Sequence, residues 1–109
     1  MSHSDATLAS MSVGLIGLAV MGRNLALNID RNGFPLTVFN RTVARTDEFL
    51  ADEARGTDIR GTRTLEEFVL SLSRPRRVIT MVQAGRGVDV VLESLVPLLE
   101  AGDVVMDGG

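Results

Sequence analysis

The residues with the most chemistry in reach are a string of small ones, Gly17-Leu18-Ala19-Val20-Met21-Gly22. The string follows a short apolar run, Ser12 to Ile16, and opens onto Met21, Leu25 and Ile29 at helical spacing. A strand that turns into a helix here leaves the first helical N–H groups without intrahelical partners. With the helix dipole behind them, those groups bind phosphate-bearing anions. Gly17 permits the tight turn, a small residue at 19 lets the backbone approach a pyrophosphate, and Gly22 lets helix and strand pack closely. Ala19 adds one methyl to the glycine usual at that place. Alone, such a turn also suits an empty βα connection or an adenosyl ligand. Its position between a strand and a helix favours a dinucleotide.

A second segment, Asn40-Arg41-Thr42, falls about 20 residues after the first glycine, where NAD-binding domains carry an acid on the ribose 2′-hydroxyl. A carboxylate there repels a 2′-phosphate, whereas an amide, a guanidinium and a hydroxyl attract one. Arg45, one helical turn further, adds a second positive charge. The balance favours NADP over NAD. The plainer alternative makes both arginines solvated helix-start residues and Thr42 an ordinary N-cap. A third segment, Val82-Gln83-Ala84-Gly85-Arg86-Gly87, comes at the end of the most β-branched run, and its small residues let a nicotinamide lie against the backbone.

The composition excludes other chemistry. The 109 residues include no Cys, Lys, Tyr or Trp, and one His at position 3. Cysteine nucleophiles, lysine bases, thiolate metal sites and a His acid–base pair are therefore absent from the sequence. A net charge of −3 gives no basic field for nucleic acid. No run approaches the roughly 18 apolar residues of a membrane span. The polar start, without a signal-peptide pattern, reads as a mobile tail over 1–11 and the protein as cytoplasmic. Met21, Met81 and Met106 read as core filler, Arg74 to Arg77 as a solvated turn, and Asp103 as turn chemistry.

These segments require strands and helices in alternation. Strands are expected at 12–16, 35–40, 58–62, 77–82 and 103–107. Helices are expected from Met21 to a stop at Asn32-Gly33, over 42–52, from a Thr64/Glu67 capping box to about Leu72, and over 88–99 despite Pro97. Apolar strands alternating with helices imply an α/β, doubly wound parallel sheet of order 3-2-1-4-5. Ligands then sit beyond the carboxyl ends of the strands, where all three segments fall.

The runs Gly14 to Asn28, Phe39 to Thr42, Pro75 to Gly85, Leu95 to Leu99 and Gly102 to Gly109 resemble the decarboxylating 6-phosphogluconate dehydrogenase family. The match holds in unbroken order from Val13. The resemblance implies a Rossmann-like NADP-binding domain over 12–109. It assigns the pyrophosphate to Gly17, Leu18, Ala19, Val20, Met21 and Gly22, and the 2′-phosphate and adenosine ribose to Asn40, Arg41 and Thr42. It puts Val82, Gln83 and Ala84 beside the nicotinamide, although Gln83 stands where family members often carry Lys. The implied reaction moves a hydride from the C3 hydroxyl of 6-phosphogluconate to NADP and then releases CO₂, giving ribulose 5-phosphate. The family's Lys base, Glu acid and substrate-phosphate ligands lie beyond the segment matching Gly109, so the domain is expected to be partial, binding cofactor without catalysing. The resemblance further implies a homodimeric full-length enzyme of the pentose phosphate pathway and gluconate utilization. The cofactor domain of another β-hydroxyacid dehydrogenase and a non-catalytic dinucleotide-binding module are the alternatives.

Overall fold

A computed structural model describes residues 13–81 and 86–108, with 86–90 described by backbone alone. The expected tail over 1–11, and Ser12, Val82, Gln83, Ala84, Gly85 and Gly109, lie outside the described residues.

Five parallel strands form the sheet: β1 (Val13–Ile16), β2 (Leu36–Phe39), β3 (Arg60–Gly61), β4 (Arg77–Thr80) and β5 (Val104–Asp107). Their order is β3-β2-β1-β4-β5, the doubly wound arrangement the alternation predicts. Four α-helices connect them: α1 (Val20–Arg31), α2 (Val43–Ala51), α3 (Leu65–Leu70) and α4 (Arg86–Leu95). Alternate side chains of each strand point to opposite faces, so β1 contributes to two cores. Leu15 packs with Ala26, Leu36, Val38 and Phe49 under α1 and α2. Ile16 packs with Phe68, Val69, Val78, Val91 and Leu95 under α3 and α4.

Several boundaries differ from expectation for identifiable reasons. Pro97 lacks the N–H that an α-helix needs at that point. The fourth helix accordingly stops at Leu95 and closes as a 3₁₀ turn, Val96–Leu98, rather than running to Leu99. The third strand is only two residues long, an edge held to β2 by the Thr37–Arg60 and Val38–Gly61 pairs. Thr64 caps α3 as expected, its hydroxyl accepting from the Glu67 N–H at 3.1 Å. The Glu67 carboxylate returns to the N–H of Arg63, one residue before the cap, at 3.2 Å.

Three readings of individual side chains are corrected. Met21 (72% exposed) and Met106 (53% exposed) are not core filler. The fully buried residues of α1 are Gly22 and Ala26, flanked by the partly buried Leu25, Leu27 and Ile29 that pack against the core. Arg76 is not solvated. It is 4% exposed and bonded to Asp103, whose own side chain is 2% exposed. One arginine of the Arg74–Arg77 cluster thus turns inward and bridges the starts of β4 and β5. Asp103 is more than turn chemistry for the same reason.

Candidate cofactor site

One row of the sheet register contains Phe39, Ile16, Thr80 and Asp107, the last residues of four neighbouring strands. The ladder continues one residue further on each side of the crossing point. Gly17 N–H donates to Phe39 O at 2.9 Å, Met81 N–H to Ile16 O at 2.7 Å, and Gly108 N–H to Thr80 O at 2.9 Å. These bonds bring Gly17, Met81 and Gly108 to a common rim, with Asn40 beside them.

At that rim the β1–α1 turn has the features a phosphate cradle requires. Gly17 has φ +106°, a conformation L side chains rarely adopt. A Cβ on Gly22 would stand 1.9 Å from Gly17 O, so only glycine permits this approach of helix to turn. Ala19 is the N-cap, with extended φ −73° and ψ −178°, but no side chain caps the helix and no acid lies in its first turn. The positive end of α1 is therefore unneutralised by its own chain. Val20 and Met21 are 62% and 72% exposed there, an apolar surface at a polar rim. Leu18 is fully buried and anchors the turn from below.

Asn40 and Arg23 hold the turn in place. The Leu18 N–H donates to Asn40 Oδ1 at 2.8 Å, and Asn40 Nδ2 donates to Thr42 O at 3.0 Å. Arg23 Nη1 donates to Leu18 O at 3.0 Å, while its Nε forms a 2.8 Å ion pair with Glu53. Nothing in the spacing of the sequence marks Arg23, since its bond runs to a carbonyl that any residue carries.

Arg41 and Thr42 follow at the end of β2 with exposed side chains. Thr42 occupies the N-cap of α2, yet its side chain makes no capping bond. Arg41 and Arg45 make no ion pair within 4.0 Å among the described residues. The Arg41 guanidinium and the Thr42 hydroxyl thus stand uncommitted among the described residues, whereas Arg45 also faces acids of its own helix. A cavity of about 170 Å³ nearby is of a different kind, because Glu48, Asp52 and Glu53 offset Arg23 and Arg45 in its lining. The residues present fit a dinucleotide: a glycine-tight turn, an open helix start, and no carboxylate directly after β2. Of the twelve expected contact residues, Gly17 to Gly22 and Asn40 to Thr42 come together at this rim. Val82, Gln83 and Ala84 fall outside the described residues. No group of His, Cys, Asp and Glu suited to a metal occurs among the described residues.

Comparison with known proteins gives a consistent result. Residues 12–109 match the family described as the NAD binding domain of 6-phosphogluconate dehydrogenase. A decarboxylating 6-phosphogluconate dehydrogenase of Synechococcus elongatus is 59% identical over 102 residues, 94% of this chain and 22% of that protein. The solved 6-phosphogluconate dehydrogenase of Plasmodium falciparum, described in apo form, with its cofactor NADP⁺ and with its substrate, superposes with a TM-score of 0.81 at 42% identity. That alignment covers 90% of this chain and 21% of the other. An imine reductase of Bacillus cereus superposes at 0.70 with 26% identity, covering 88% of this chain and 30% of its own. The chain therefore spans about a fifth of the length of the dehydrogenases it matches.

Proposed function

This chain belongs to the family of NAD-binding domains of 6-phosphogluconate dehydrogenase, and from that premise we propose that it is the NADP-holding part of such an enzyme. The whole enzyme would convert 6-phosphogluconate oxidatively to ribulose 5-phosphate and CO₂. Bound NADP would supply the hydride acceptor for that reaction. This chain's residues would bind and orient it, which is the protein's contribution wherever a cofactor carries the chemistry.

The division of labour follows from side-chain chemistry. The open N–H groups at the start of α1 would take the pyrophosphate, with Gly17 and Gly22 allowing the backbone close enough. Arg41, with Thr42 and Arg45 beside it, would take the 2′-phosphate. The single observation that carries this reading is that, among the described residues, Arg41 has no acidic partner at a rim that also holds the uncapped helix. Val82, Gln83 and Ala84 are assigned to the nicotinamide side by family likeness alone. A cytoplasmic location, a homodimeric full-length enzyme and a pentose phosphate pathway role belong to the same proposal and rest on family membership. No helix among the described residues is long and apolar enough to cross a membrane.

The test is a pair of titrations. NADPH should bind the chain more tightly than NADH, and Arg41→Ala should remove the difference. Equal affinities in the wild-type chain would defeat the NADP assignment. Turnover of 6-phosphogluconate by the 109-residue chain alone would defeat the view that the acid and base come from elsewhere.

A further inference from the structure

We propose that Asn40 is a positioning residue: beyond any contact its second Nδ2 hydrogen makes, it holds the β1–α1 turn in its binding shape. The inference rests on the reading that this turn takes a dinucleotide. It departs from the sequence expectation that Asn40, Arg41 and Thr42 act alike.

The two ends of the Asn40 amide are engaged in opposite senses. Its Oδ1 accepts from the Leu18 N–H at 2.8 Å, across 22 residues of sequence, and its Nδ2 donates to Thr42 O at 3.0 Å. One partner can only donate and the other can only accept, so the pair fixes which way the amide faces. Aspartate would satisfy Leu18 but set a second oxygen against the Thr42 carbonyl. Alanine has neither group, and serine carries its donor and acceptor on a single atom of a shorter side chain. A primary amide of this length meets both demands at once.

The consequence is mechanical. Leu18 is fully buried, and its N–H lies between the left-handed Gly17 and the N-cap Ala19. Fixing that N–H fixes the plane of the peptide through which the chain enters α1, and so the direction of the helix's open N–H groups. The same side chain holds Thr42 O, which accepts from Arg45 N–H at 3.0 Å in the first turn of α2. Asn40 thereby joins the pyrophosphate turn to the segment bearing Arg41. Arg41 and Thr42, whose side chains are exposed and uncommitted, are left for the phosphate itself.

A phosphate ligand and a positioning residue differ in what their loss does to NADH, which has no 2′-phosphate. Asn40→Ala should weaken NADPH and NADH binding by a similar factor, about tenfold for a lost buried hydrogen bond to the turn. The NADPH-to-NADH ratio should change far less than in Arg41→Ala, where it collapses. In the cofactor-free chain, exchange of the Leu18 amide hydrogen should accelerate in Asn40→Ala, while that of Leu15 on the central strand stays slow. Asn40→Asp, which keeps the acceptor, should retain the protection of Leu18. The proposal is overturned if Asn40→Ala weakens NADPH alone and leaves NADH affinity and Leu18 exchange unchanged. It is also overturned if the Leu18 amide exchanges freely in the wild-type chain. A wild-type chain that binds neither dinucleotide would sink the cofactor reading, while Leu18 exchange would still decide whether Asn40 holds the turn.

Discussion

The two ends of the sheet use arginine in opposite ways. At the amino end, Arg76 is bonded throughout: its N–H and Nη1 donate to Asp103 at 2.7 and 3.1 Å, and its Nε donates to Val69 O at 3.1 Å. Asp103 is equally engaged, accepting also from the Glu100 N–H at 2.8 Å. At the carboxyl end, Arg41 and Arg45 make no ion pair within 4.0 Å among the described residues, and the nearest helix start is uncapped. A charge satisfied within the chain contributes to folding and has little left for a ligand. A charge left open in solvent contributes little to folding and remains available to an anion. The same residue type thus reads as structural at one end and as binding at the other.

The largest expected effect tests the amino end. Asp103→Ala leaves Arg76 buried without its main counter-charge, a change that costs about 3 kcal/mol, at the low end of the range for a broken buried pair. The low end applies because Glu100 Oε2 remains 3.9 Å from Arg76 Nη1. Urea unfolding should show this loss, and NADPH affinity under folding conditions should be unchanged. A neutral substitution would mean the amino end is no better bonded than the carboxyl end. Acid sharpens the point. Burial acts to raise the Asp103 pKa, but the Glu100 and Arg76 N–H donors and the Arg76 charge outweigh it and hold the carboxyl below its ordinary value. A carboxylate depressed in the folded state stabilises fully above its unfolded pKa of about 4, and that contribution fades as pH falls through the lower folded value. The wild-type chain should therefore lose stability below about pH 4 more steeply than Asp103→Asn.

Arg41→Ala tests the other end, with the complementary outcome. NADPH affinity should fall by about ten- to a hundredfold, the range for a charge-assisted hydrogen bond, with NADH affinity and urea stability near wild type. A stability loss comparable to that of Asp103→Ala would erase the distinction between the ends.

Much of the carboxyl end was legible in the sequence, and little of the amino end was. The turn at Gly17–Gly22 is visible because each glycine answers a local backbone demand, positive φ at Gly17 and a 1.9 Å obstruction at Gly22. The strand order followed from alternation and handedness alone. By contrast, the Arg76–Asp103 pair joins residues 27 apart, and nothing local distinguishes Arg76 from the exposed Arg74 and Arg77. The bond from the Leu18 N–H to Asn40 was equally hidden, since it exists only once β1 and β2 lie side by side. The apolar period at Met21, Leu25 and Ile29 found the helix, and Leu25 and Ile29 pack partly buried against the core while Met21 does not. The fully buried places went to Gly22 and Ala26, the smallest residues of the helix.

The smallest effects distinguish two helix starts at the same end of the sheet. The third helix closes its own N-terminus with Thr64 and carries Glu66 and Glu67 in its first turn; α1 has neither a side-chain cap nor an acid. Thr64→Ala should cost about 1 kcal/mol of stability and leave NADPH affinity alone. The converse change is Ala19→Ser, at a residue whose backbone already has the extended conformation of an N-cap. A serine hydroxyl there would accept from an N–H of the first turn and stabilise the cofactor-free chain by about 0.5 kcal/mol. The same hydroxyl would compete with the pyrophosphate for that N–H, so NADPH affinity should fall severalfold as stability rises. The opposed signs are the informative outcome, measurable by urea unfolding beside a NADPH titration. Were Ala19→Ser to raise both, the open start of α1 would be an ordinary missing cap and not a site kept open for an anion.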